Sequence, residues 1–214
     1  PRLFEPAHLG RLAARLEGCL RGGVPDGFPP PHFSAECTPP VAAAFAPFRS
    51  ALEAWRTEPA APDLPRALAN ALTAAGTPHI LVMLGQRFTP ASVTEARGIA
   101  PTRERMLASA SALHTPSDPL TVAARALAKH VHRSPEKFWG EVRGPAARKN
   151  ASALRVLERI LEGATWRNVF GHFAHDLVYE ARVPTGHGAR WAHDGTEFVG
   201  FLEPFDEDKC PSLV

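Results

Sequence analysis

Apolar residues recur at helical spacing along most of this chain. Leu9, Leu12, Leu16 and Leu20 lie three or four apart, and the pattern stops at Gly22 and Gly23. Phe48, Leu52 and Trp55 form a second stripe, with Pro47 suited to a first helical turn. A third helix is expected over LPRALANALTAAG, closed by Gly76, and a fourth over TRERMLASASALH. In SDPLTVAARALAKHVHR, Asp118 can cap free N–H groups, Pro119 fits the first helical position, and Leu120, Ala124, Leu127 and Val131 make the buried face. The last helical pattern buries Ala153, Leu154, Leu157, Ile160 and Leu161, and leaves Arg148, Ser152, Arg155 and Arg159 outside.

The period changes near the C-terminus. Leu177, Tyr179, Ala181 and Val183 alternate with Val178, Glu180 and Arg182, which is the repeat of a strand. GARWA and EFVGFLEP flank Asp194-Gly195, a dipeptide suited to a two-residue hairpin turn. That turn pairs Trp191 with Phe198 and Ala189 with Gly200. The continuous apolar run Ile80–Met83, between Pro78 and Gly85, reads as one more buried strand. The expected fold is α+β: a helix-rich single domain over 1–214 with a small, mainly antiparallel C-terminal sheet and hairpin. Residues 22–47, dense in proline, should form a wrapping loop, because proline lacks the N–H that helix interiors and central strands need. Residues 118–204 form the half that carries the motifs below.

Composition adds boundaries. The 214 residues are 44% hydrophobic and 21% charged, too apolar for disorder. Cys19, Cys37 and Cys210 are odd in number and far apart, which argues against a disulfide framework and for an intracellular, reducing compartment. An organelle fits as well if a targeting peptide has been removed. No apolar run approaches the ~18 residues of a membrane span, so no membrane partner is expected. Nothing in the sequence specifies a cofactor or an oligomeric state.

Charge and histidine point to chemistry. Residues 121–170 hold ten Lys/Arg against four Asp/Glu, a net +6, whereas 171–214 hold three against eight, a net −5. These segments either neutralise each other or offer a basic surface to an anion. Six of the ten histidines are His130, His132, His172, His175, His187 and His193. His130 and His132 sit about 200° apart on a helix and cannot share a metal. His172, His175 and Asp176 could share one side of a helical turn. With no H-E-x-x-H spacing, no metal site is assigned. TGHGAR is not a dinucleotide loop, but Gly186 and Gly188 permit close approach of backbone, and Arg190 follows with a planar fork for carboxylate or phosphate. Lys129, His130, His132, Arg133, Lys137, Arg148 and Lys149 surround Trp139 in sequence, a composition that suits nucleic acid or phosphate.

The motifs KHxHR…FWG…KN and YExRVxxGxGARWxxDGxxFxGFLEP, within Leu120–Pro204, resemble those of a functionally uncharacterised family of plant, algal and fungal proteins. The matching positions include Arg125, Lys129, His130, Arg133, Trp139, Lys149, Asn150, Trp166, Asn168, Glu180, Arg182, Gly188, Arg190, Trp191 and Glu203. The chain departs from that pattern after Glu203, where PFDEDKCPSLV stands in place of a histidine-bearing tail. The resemblance implies a pocket between the 119–133 helix and the C-terminal sheet, since such polar residues gather at sites.

Two readings stay open. As an enzyme of unknown reaction, the chain would hold a small anionic substrate on Lys129, Arg182, Arg190 and Gly188, with His130 and Glu180 catalytic. Alternatively, it is a binding module for nucleic acid or an acidic protein, or a non-catalytic assembly subunit.

Overall fold

A computed structural model describes residues 4–133 and 137–205, without the side chains of His132, Arg133 and Lys137. The described chain divides into two compact units, one of residues 4–28 and 33–99, the other of 29–32 and 100–205. Among the described residues there are seven α-helices and one four-stranded antiparallel sheet, so the class is α+β. No described helix is long and apolar enough to cross a membrane.

The first unit is helical: α1 (Pro6–Gly22), α2 (Val41–Phe45), α3 (Arg49–Thr57) and α4 (Leu64–Met83). Leu12, Leu16, Phe45, Phe48, Leu52, Leu81 and Met83 fill its core, whereas Leu9 is exposed. The Ile80–Met83 run is helix, not strand. Gly76 does break the helical backbone, with φ 68° and ψ 166°, but Pro78 then opens new helical turns within the same element. Ile80, Leu81, Val82 and Met83 are all buried. A helix buried all round writes the same unbroken apolar run as a buried strand, so periodicity does not separate the two.

The second unit contains α5 (Arg103–Ser111), α6 (Val122–Arg133), α7 (Ala146–Gly163), β1 (Trp166–His172), β2 (Asp176–Arg182), β3 (Gly188–Ala192) and β4 (Phe198–Leu202). Helix α6 starts later than its sequence suggests. Thr121 Oγ1, not Asp118, accepts the Ala124 N–H at 3.2 Å, while Asp118 accepts from Leu120. Asn150 on α7 fixes this start from outside: its Oδ1 accepts the Thr121 N–H and its Nδ2 donates to the Pro119 carbonyl, both at 3.0 Å.

The strands follow chain order, each antiparallel to the next. β1 is a strand that the sequence pattern does not announce. His172, His175 and Asp176 consequently mark a hairpin turn, where the His175 N–H bonds the His172 carbonyl at 3.2 Å, rather than one side of a helix. The Asp-Gly turn is longer than two residues: Gly195 N–H bonds Ala192 O and Ala192 N–H bonds Glu197 O. Trp191 does pair with Phe198, but a bulge beyond it pairs Arg190 with Gly200 and Ala189 with Phe201. The extra residue turns Phe198 and Phe201 to the same side.

Strand alternation then gives the sheet two characters. One face carries Tyr179, Ala181, Ala189, Trp191, Phe198 and Phe201, all buried, and α5, α6 and α7 pack on the sheet. Trp191 Nε1 donates to the Met106 carbonyl of α5 at 3.1 Å. The other face carries Asn168, Glu180, Arg182 and Arg190.

Candidate functional site

Two polar clusters arise from these elements. The first is built on the sheet face opposite the aromatic core. Glu180 stands directly across from Arg190 and two residues from Arg182, so the pleat aims all three side chains the same way. Glu180 Oε2 accepts from Arg182 Nε at 3.0 Å. Its Oε1 accepts from Arg190 Nε at 2.7 Å and also from Arg190 Nη2. Another Arg182 donor, Nη1, reaches the carbonyls of Gly186 at 2.7 Å and Glu203 at 2.9 Å. Arg190 Nη1 reaches His172 Nε2 at 2.7 Å. The Glu180 side chain is only 3% exposed. Burial lowers the His172 pKa, and the Arg190 and His175 charges lower it further against the opposing pull of Glu180. A guanidinium only donates, so His172 Nε2 is the accepting nitrogen.

Gly188 serves this cluster by leaving room. A Cβ there would lie 2.4 Å from the Ala181 carbonyl and 2.7 Å from Arg182 Cγ, so the space beside it belongs to the Arg182 stem.

The second cluster gathers on Glu203, just past the end of β4. Its Oε1 accepts from the Trp139 indole N–H at 2.9 Å and lies 3.0 Å from His130 Nδ1. Its Oε2 lies 3.7 Å from His187 Nε2. The His130 ring packs on Trp139, with centroids 5.1 Å apart, and on Phe201 at 6.0 Å. Since Phe201 belongs to the aromatic face, His130 approaches the sheet from the side opposite Glu180. Phe138 lies parallel to the His187 ring with centroids 4.0 Å apart. The side chains of His130 and Glu203 remain 24% and 40% exposed. Carboxylate contact at Nδ1 favours the tautomer with its proton there, which leaves Nε2 as the accepting nitrogen.

The structure therefore brings Glu180, Arg182, Arg190 and Gly188 together, and places His130 in the other cluster. Lys129 is exposed on α6. Arg182 links the two groups through the Glu203 carbonyl. Arg133 and Lys137, part of the basic set, have side chains outside the described residues. Glu203, Trp139, Phe138 and His187 complete the second cluster. Glu203 and Trp139 stand among the family-like positions, but their distance in sequence from His130 hides the contact. Phe138 lies in the FWG motif and His187 among the six C-terminal histidines, but neither signal ties them to Glu203 in the sequence. Among the described residues, no three His, Cys, Asp or Glu side chains group as metal ligands.

Part of the second unit is similar in sequence to a described family. A family model of the CdiA C-terminal tRNase toxin domain matches residues 109–203. The matched segment, under half of the chain, spans α6, α7, the sheet and both polar clusters. It also covers nearly all of Leu120–Pro204, the stretch that carries the motifs KHxHR…FWG…KN and YExRVxxGxGARWxxDGxxFxGFLEP. No curated protein and no solved structure matches the chain.

Proposed function

We propose that residues 109–203 form an RNA-cleaving unit with transfer RNA as its substrate class, and that the Glu203–His130 cluster performs the reaction. The observation that carries this reading is a partly exposed histidine, held at Nδ1 by a carboxylate, inside the segment similar to a tRNase domain. RNA carries its own nucleophile, the ribose 2′-hydroxyl. His130 Nε2 takes the 2′-hydroxyl proton as that oxygen bonds to the adjacent phosphorus. The bond from phosphorus to the 5′-oxygen of the next nucleotide breaks, that oxygen takes a proton from solvent water, and protonated His130 returns its proton to solvent, so the proton count closes. The products are a 2′,3′-cyclic phosphate and a 5′-hydroxyl end. Glu203 orients the imidazole and stabilises its protonated form, and Trp139 and Arg182 position Glu203 through its side chain and carbonyl.

This reading gives the arginines a different task from the anion-holding one expected of them. Their donors are directed at Glu180, His172 and backbone carbonyls, which fixes the floor on which Glu203 stands.

The test is incubation of the full chain with a tRNA pool. Cleavage to cyclic-phosphate ends is expected, and replacing the cut-site ribose with 2′-deoxyribose should abolish it. Cleavage that persists in His130→Ala, or on the deoxy substrate, would reject the assignment.

A further inference from the structure

On α7, Arg148, Ser152, Arg155 and Arg159 follow one another at steps of four, three and four, which sets them on a single helical face. The opposite face is buried through Ala153, Val156, Leu157 and Ile160. Five arginines of this unit answer a carboxylate: Arg103 meets Glu158 and Glu162, Arg125 meets Asp118, Arg143 meets Glu141, and Arg182 and Arg190 meet Glu180. Arg148, Arg155 and Arg159 pair with no carboxylate among the described residues. Arg155 instead donates to Ser152 Oγ at 3.1 Å, and Arg159 donates to the Phe138 carbonyl at 2.6 Å.

The stripe has a direction. Arg159 Cζ sits 4.4 Å from the centroid of the Phe138 ring. That ring stacks on His187, and His187 lies 3.7 Å from the carboxylate that holds His130. A row of uncompensated cations about 16 Å long thus ends two aromatic rings from the Glu203–His130 pair.

We infer that this face of α7 is a track for the phosphate backbone of RNA, with Arg148 and Arg155 each contacting a phosphate and Arg159 with Phe138 forming its aromatic end beside the cleavage centre. The inference rests on the RNA-cleaving reading and adds where the strand lies. Arginine suits the task because its fork matches phosphate oxygens, and an aromatic ring beside the last cation offers a stacking surface for a base.

The experiment is a salt titration of binding, using the full chain and a fully 2′-O-methylated RNA of tRNA length, which the proposed chemistry does not cut. Removing one phosphate-binding cation should reduce the slope of log K against log salt by about 0.7 for a single strand. The double variant Arg148→Gln, Arg155→Gln should therefore flatten the slope by about 1.4 and weaken binding at low salt by about tenfold or more. Arg148→Lys with Arg155→Lys, which keeps both charges, should retain the slope. An unchanged slope in the glutamine variant, or no binding by the parent chain, overturns the track. Because this probe is never cut, the readout is independent of cleavage: a flattened slope without any nuclease activity keeps the track and rejects the reaction, and cleavage with an unaltered slope does the reverse.

Discussion

The Glu180 and Glu203 clusters use the same chemical vocabulary, one carboxylate with cations and imidazoles, and are joined by one arginine, yet they are suited to opposite tasks. Glu180 is almost fully buried, and three guanidinium donors converge on its two oxygens. Glu203 is 40% exposed and faces an indole and two imidazoles. A buried carboxylate that answers two arginines is an anchor, because removing one partner leaves uncompensated charge in a medium that solvates it poorly. A partly exposed carboxylate holding one imidazole leaves the ring a nitrogen for proton transfer and keeps a path to solvent. Burial and the number of donors, not residue type, separate the anchor from the pair proposed to react.

The contrast is broken most sharply by Glu180→Ala. It should cost roughly 3–5 kcal/mol of stability, read by urea denaturation, because two guanidinia lose their counter-charge. Glu203→Gln, at the more exposed site, should cost about 1 kcal/mol or less by the same measurement. If the two losses are equal, the distinction fails. Phe198→Ala should destabilise by about 3–5 kcal/mol, since its ring is buried against Trp191 with centroids 5.4 Å apart. A loss under about 1 kcal/mol would contradict the bulged register. Asn150→Ala removes both bonds that hold the start of α6 and should cost about 1–2 kcal/mol, with a matching loss of amide protection at Thr121.

The smallest effect is a titration. The folded His172 pKa lies below its ordinary value of 6.5, chiefly from burial and then from Arg190. Below about 6.5 the unfolded chain binds a proton that the folded ring resists. This contribution to stability is complete above that pH and is lost as the pH falls through the lower folded value. NMR should follow the ring titrating below 6.5, and Arg190→Ala should move it upward. A ring titrating at or above 6.5 would show that Arg190 does not donate to it.

Much of the second unit was legible because its patterns are local. The alternation through Tyr179 and Val183 follows from the two-residue repeat of a strand, and the Trp191–Phe198 pair from a turn centred on Asp194-Gly195. The placement of Glu180, Arg182 and Arg190 on one face follows from the same repeat. Other features depend on residues far apart in sequence. The carboxylate that meets His130 lies 73 residues on, and no short-range pattern joins them. The bulge at Arg190/Trp191 shifts Phe201 by one position, which alternation alone does not foresee. At Ile80–Met83, burial on all sides erased the period that would have marked a helix.

The central proposal is that RNA chemistry belongs to the Glu203 cluster and architecture to the Glu180 cluster. Its most direct test is the tRNA cleavage rate of Glu203→Gln and His130→Ala, each confirmed as folded by its urea midpoint. The account predicts a loss of about 10²-fold or more in kcat for both, the scale of a positioned acid–base group, with the parent fold retained. Full cleavage by either folded variant would contradict it.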